Sequence, residues 1–118
     1  MNTRDPKLTA LLFNECINAR DIEGLGTLMA DNISLISFGG PGTVDKEESI
    51  KAWSSFFKAE PEFRNHFSRM ESRDNFVIII GKNTYKNVLW SAIIENDKVS
   101  EWQVYDDTAE NRERLKIQ

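Results

Sequence analysis

A single cysteine, Cys16, leaves the chain unable to close a disulfide on itself, and one cysteine with one histidine, His66, cannot build a zinc site of the usual four-ligand kind. Positive charge is also in deficit: 15 basic against 19 acidic residues leave a net charge of -4. Without a broad cationic field to gather phosphates or anionic headgroups, neither nucleic acid nor a membrane surface is an expected partner. No stretch reaches the roughly 20 apolar residues of a membrane-spanning helix. The longest apolar run, Phe76 to Ile80, has strand length. The opening MNTRDPKLTALLFNEC is interrupted at Asn14 and Glu15 before it reaches signal-peptide length, so a cytoplasmic setting is expected. Internal repeats and low-complexity tracts are missing as well.

What is present suits one packed domain over residues 1–118. A chain of that length can bury roughly two thirds of the surface its unfolded form exposes, and 40% of its residues are hydrophobic. Asp5 before Pro6 reads as an N-cap with proline at the first helical position. Leu8, Leu12, Cys16 and Ala19 then recur at helical spacing, and Phe13 and Ile17 widen the stripe, which predicts a helix over 6–19 with a broad apolar face. Asp21 can cap a short second helix carrying Leu25, Leu28 and Met29. The β-branched run Ile33 to Phe38 reads as a strand. After the loop Gly39-Gly40-Pro41-Gly42, Asp45 and Glu48 have capping-box spacing, and Ile50, Trp53, Phe56 and Phe57 share one side of a third helix that Pro61 ends near Ala59. Four strands follow, at about 63–73, from 76, from 88 and from 98, with Asn96-Asp97 as a tight hairpin turn. Asp107 with Glu110 can cap a closing helical turn.

The run FNECINARDIEGLGTLMADNISL resembles the opening of the nuclear transport factor 2-like superfamily, in particular its SnoaL-like branch. DKEESIKAWSSFF and DKVSEWQVYDD resemble the third helix and last strand of that family. The resemblance covers nearly the whole chain. It implies an α+β fold in which a cone-like, curved antiparallel sheet wraps around the N-terminal helices and encloses a pocket. It also implies a homodimer formed through the sheet face. The superfamily houses isomerases, dehydratases, cyclases, epoxide hydrolases and non-catalytic domains, so the fold alone assigns no activity.

Candidate site residues come from strand alternation. In the last strand Trp102, Val104 and Asp106 share one face, assigned to the pocket, while Glu101, Gln103 and Tyr105 share the other, with Tyr105 toward a dimer partner. The epoxide hydrolase pattern resembles Trp-Arg-Asp-Tyr here, and this chain reads Trp102-Gln103-Val104-Tyr105, which leaves that constellation without its carboxylate. His66 stands at a position resembling one where SnoaL-like members often carry a histidine facing the pocket, and imidazole exchanges protons near neutral pH. His66 and Asp106 are therefore the candidate acid/base pair. Ser68 and Met70 are placed on the His66 face by period-two alternation. Trp53, Phe57, Trp90 and Trp102 are the candidate aromatic box for a flat apolar ligand. No metal and no cofactor are implied. Two readings stay open: a pocket that binds a small apolar metabolite, with or without acid/base chemistry, and a non-catalytic association domain with a filled cavity.

Overall fold

The computed structural model describes residues 1–117. Three helices come first, with one strand among them. The first, α1, spans Pro6–Ala19, α2 spans Ile22–Leu28, the strand β1 covers Met29–Ser37, and α3 spans Lys46–Ala59. Strands β2 (Asn65–Arg73), β3 (Phe76–Asn83), β4 (Asn87–Glu95) and β5 (Lys98–Asp106) follow, and a short α4 (Ala109–Arg114) closes the chain. The helix starts are where side-chain oxygens can serve unpaired amides: Asp5 accepts from Lys7, Asp21 from Gly24 and Asp45 from Glu48, each through a backbone N–H at 2.9 Å. The closing helix departs from expectation. Its cap is Thr108, which accepts from the Asn111 amide, while Asp107 turns to the Arg112 guanidinium at 2.6 Å. That pairing holds the Asp107 carboxyl below its ordinary range.

The strands form one open sheet in the order β1-β5-β4-β3-β2. Consecutive strands β2 to β5 pair antiparallel, and β1 adds a parallel edge beside β5, so the sheet is mixed. This order has a topological consequence. Because β1 and β2 are the two edges, the segment between them must cross the sheet, and it does so as α3 over the concave face. Asn96 and Asp97 both take positive φ, the geometry of a tight hairpin turn whose twist suits the strands it joins. Register shifts interrupt the β1–β5, β2–β3 and β4–β5 ladders. Such bulges bend strands, which is how a five-strand sheet curves around helices.

Two apolar clusters lie on opposite faces. The larger, between the concave face and α1, is built on Phe13, Ile17, Met29, Trp90 and Trp102, all buried. The smaller lies outside, where Ile78, Leu89 and Tyr105 are covered by Leu115. Arg73 fastens that closing segment by donating to the carbonyls of Leu115 and Lys116. Tyr105 is thus covered by its own chain, not left open toward a partner, and its hydroxyl pairs with Ser91 at 2.8 Å. The expectation missed this because alternation reports the face of a side chain and not what lies over it.

Candidate functional site

Between α3 and the concave face lies a cavity of about 280 Å³. Its floor is Trp90, Trp102 and Val104 from the sheet; its roof is Trp53 and Phe56 from α3; Phe38 and Phe63 stand at its mouth. Each position has a local cause. Trp102 and Val104 are two apart on β5, and Trp90 stands opposite Val104 in the β4–β5 register, so all three share one face. On α3, Trp53 and Phe56 are neighbours at i and i+3. The aromatic rings touch in sequence: Trp102 lies 4.7 Å from Phe13, Phe13 6.5 Å from Trp53, Trp53 5.8 Å from Phe56 and Phe56 4.8 Å from Phe63.

Four of the residues expected to bind ligand, Trp53, Trp90, Trp102 and Val104, line the cavity together. Phe57 does not. It stacks on Trp53 at 5.4 Å from behind, with the Arg20 guanidinium 5.2 Å from its ring centre. Arg20 in turn donates to the carbonyls of Ile17, Glu60 and Pro61, tying the end of α1 to the end of α3.

The expected acid/base pair is not brought together there. His66 pairs with Lys82 across β2 and β3 and is exposed, outside the cavity lining. Asp106 is also exposed, at the end of β5, where it takes the Lys86 ammonium at 2.5 Å. That ammonium lies 4.2 Å from the Phe38 ring centre, so the charges stay at the rim. Ser68 and Met70 need correction too. Phe67 pairs with Gly81 and Arg69 with Ile80, so Ser68 is the extra residue of a bulge. Past it the alternation is inverted: Ser68 is exposed, and Met70 packs against the inner core without lining the cavity. A bulge cannot be read from period two, because it is the break in that period.

The inward residues at the start of β2 are Asn65 and Phe67. Phe67 packs 4.9 Å from Trp90. Asn65 is 6% exposed and lines the cavity, with its Oδ1 lacking a hydrogen-bond partner. Its backbone is held twice by Asn18 of α1, which accepts from the Asn65 N–H at 2.8 Å and donates to its carbonyl at 2.9 Å. The buried Trp53 Nε1 and Asn14 Oδ1 also lack partners. Asn65 escaped the sequence reading, although counting two back from the apolar Phe67 would have turned it inward.

The lining side chains carry no carboxylate, imidazole, amine, guanidinium, thiol or phenol. The groups with displaced acidity lie elsewhere. Burial, then the charges of Asp21 and Glu15, push the Cys16 thiol up; the Glu60 hydrogen bond raises the Tyr85 phenol. No group of three or more His, Cys, Asp or Glu side chains that could hold a metal ion is found among the described residues.

A family model for the SnoaL-like domain matches residues 10–110. The chain belongs to the SnoaL-like domain family. No curated protein matches its sequence. Among solved structures, an uncharacterized cystatin-fold protein from Novosphingobium aromaticivorans superposes with a TM-score of 0.76 at 17% identity, over 86% of this chain and 97% of the other. A putative polyketide cyclase from Sinorhizobium meliloti gives 0.75 at 9% identity, over 86% and 99%. An LEH-like epoxide hydrolase from M. tuberculosis gives 0.73 at 10%, over 86% and 82%. At these identities the likeness is one of fold. Within the fold, the family's α+β frame is present, and no helix among the described residues is long and apolar enough to cross a membrane.

Proposed function

We propose that this SnoaL-like protein binds a small, largely apolar molecule between α3 and the concave face of its sheet. The observation that carries the reading is the lining: three tryptophans, two phenylalanines at the mouth and several aliphatic groups surround about 280 Å³ of space. Pockets for small molecules are concave and mostly apolar with few polar groups, and this one lies near the small end of their usual size. Binding without acid/base turnover by the chain's own side chains is the reading, because a general acid or base must lie within hydrogen-bond reach of the reacting atom. His66 and Asp106 stand outside that reach. The descriptions of two similar structures, as a putative polyketide cyclase and an epoxide hydrolase, fit a fold suited to small organic molecules.

All three tryptophans of the chain line the cavity, so intrinsic fluorescence reports on it directly. Neutral one- and two-ring compounds should quench or shift that emission saturably and raise the melting temperature. A ligand at a hundred times its Kd adds about 2.7 kcal/mol to folding stability. Val104→Phe, which fills the floor, should weaken both effects. If no neutral apolar compound gives a saturable signal, the reading fails. A homodimer through the outer sheet face and a cytoplasmic setting belong to the same proposal. The dimer is supported by the half-buried Phe76, Ile80 and Ile93 around Tyr105, and the setting by the unpaired Cys16. Sedimentation at micromolar concentration tests the dimer, and a purely monomeric profile would remove it.

A further inference from the structure

We infer that the turn at residues 83–86, between β3 and β4, is the gate of the cavity: it grips both phenylalanines of the mouth and so sets how fast a molecule enters and leaves. The gate serves the site for which binding is proposed above and rests on that reading. Three consecutive side chains of the turn reach different segments. Thr84 accepts from the Arg64 N–H at 2.8 Å. Tyr85 donates its hydroxyl to a Glu60 carboxylate oxygen at 2.5 Å, and its ring centre lies 6.4 Å from that of Phe63. Lys86 pairs with Asp106 at 2.5 Å and sets its ammonium 4.2 Å from the ring centre of Phe38. Thr84 and Tyr85 thus hold the connection from α3 to β2, while Lys86 ties the end of β5 to the residue that follows β1. Phe38 and Phe63 both line the cavity, so one turn holds its mouth from two sides.

The turn is braced and what it grips is movable. Asn83 donates its N–H to the Lys86 carbonyl at 2.9 Å, and its Oδ1 accepts from the Tyr85 and Lys86 amides at 2.8 and 3.0 Å. That local bonding makes the three side chains act from one platform. Phe38 is 47% exposed and keeps φ at 51°, a costly region for a bulky side chain unless its surroundings impose it. Gly39 follows at φ 77°, and then come Gly40, Pro41 and Gly42. The loop is fixed at each end, by the Phe38 N–H on the Val104 carbonyl at 2.9 Å and the Thr43 N–H on the Leu35 carbonyl at 3.1 Å. A glycine-rich stretch between two fixed points lets the Phe38 ring swing while the sheet stays in place.

The latch on Phe38 is weak enough to open. The Lys86 and Asp106 side chains are 50% and 52% exposed, so water and salt screen their attraction. An exposed ion pair and an exposed cation–π contact together shift an open–closed equilibrium by about two- to tenfold.

Acrylamide quenching tests the gate without a ligand. Trp90 and Trp102 are 2% and 4% exposed and lie on the cavity floor, so their quenching reports passage through the mouth. Trp53→Phe leaves these two as the emitters and serves as the background. There Lys86→Met should raise the quenching constant about two- to fivefold. Tyr85→Phe, which keeps the ring beside Phe63 but removes the hydroxyl, should raise it less. Salt at about 1 M should raise quenching where Lys86 is present and change Lys86→Met little. Lys82→Met, at an exposed cation outside the cavity lining, should leave it unchanged. In stopped-flow mixing with indane, Lys86→Met in the otherwise wild-type chain should speed association and dissociation together, with Kd within about twofold. Unchanged quenching and rates in both Lys86→Met and Tyr85→Phe overturn the gate and leave the binding reading standing. A weaker Kd with unchanged association makes Lys86 a ligand contact and also overturns it. Raised quenching without any saturable indane signal keeps the gate and removes the binding reading.

Discussion

Helices α1 and α3 are each 14 residues long and face the same sheet, yet they are buried to different degrees. Along α1, Ala10, Phe13, Asn14 and Ile17 are fully covered; along α3 only Ser49 is, and Trp53, Phe56 and Phe57 remain half-buried. The more aromatic helix is the less buried one. The difference teaches where the cavity lies. Near α1 the bent sheet meets the helix and side chains fill the space; under α3 the two diverge, and apolar surface is left for something else to cover.

The strongest way to break this comparison is to truncate one ring on each helix. Phe13→Ala, at a site 0% exposed and 4.7 Å from Trp102, should cost about 3–5 kcal/mol in urea denaturation. Trp53→Ala should cost less, about 2–3 kcal/mol, because its ring is only partly buried, and should remove ligand binding. Equal costs would mean that both helices are equally part of the core. Next comes Gly81, opposite the β2 bulge. A Cβ there would meet the His66 carbonyl oxygen in the adjacent backbone, so Gly81→Ala should destabilise by roughly 2 kcal/mol. A neutral result would show that β2 can shift away from β3, and with it the wall that holds Asn65.

The outer face sharpens the contrast at smaller magnitude. Tyr105→Phe, which leaves Ser91 without its partner, should cost about 1 kcal/mol at neutral pH. Burial raises the Tyr105 phenol above its ordinary range. An acid whose folded pKa is raised binds its proton longer in the folded state, so its contribution is complete below the unfolded value and declines as pH rises past about 10. Stability measured across pH 8–11 should fall less steeply in Tyr105→Phe than in the wild-type protein. The smallest effect belongs to His66→Ala: stability should stay within about 0.5 kcal/mol, and binding in the cavity should be unchanged. Lost binding in that variant would return His66 to the site.

Much of the frame was legible in the chain. The caps at Asp5, Asp21 and Asp45, the hairpin at Asn96-Asp97 and the inward faces of Trp102 and Val104 follow from rules that act over a few residues. Reading failed where distant segments meet. His66 and Ser68 were placed on the inward face with Met70, and only Met70 turns inward, because a bulge at Ser68 changes the count. Asp107 was taken for a helix cap, and Arg112 captured it instead. The strand before α3 begins at Met29, four residues ahead of Ile33, since pairing with Val99 of β5 extends it.

Composition and periodicity marked out the helices and strands, because helix caps, turn residues and alternating apolar positions are local properties of the chain, while the curving of the sheet around the N-terminal helices was implied by the family resemblance. The tertiary structure decided which apolar residues became core and which were left around an open space. It also turned His66 and Asp106 outward and Asn65 inward. Those outcomes depend on register, bulges and the crossing of α3 between the two sheet edges, and they are set only when segments far apart in sequence come to share one boundary.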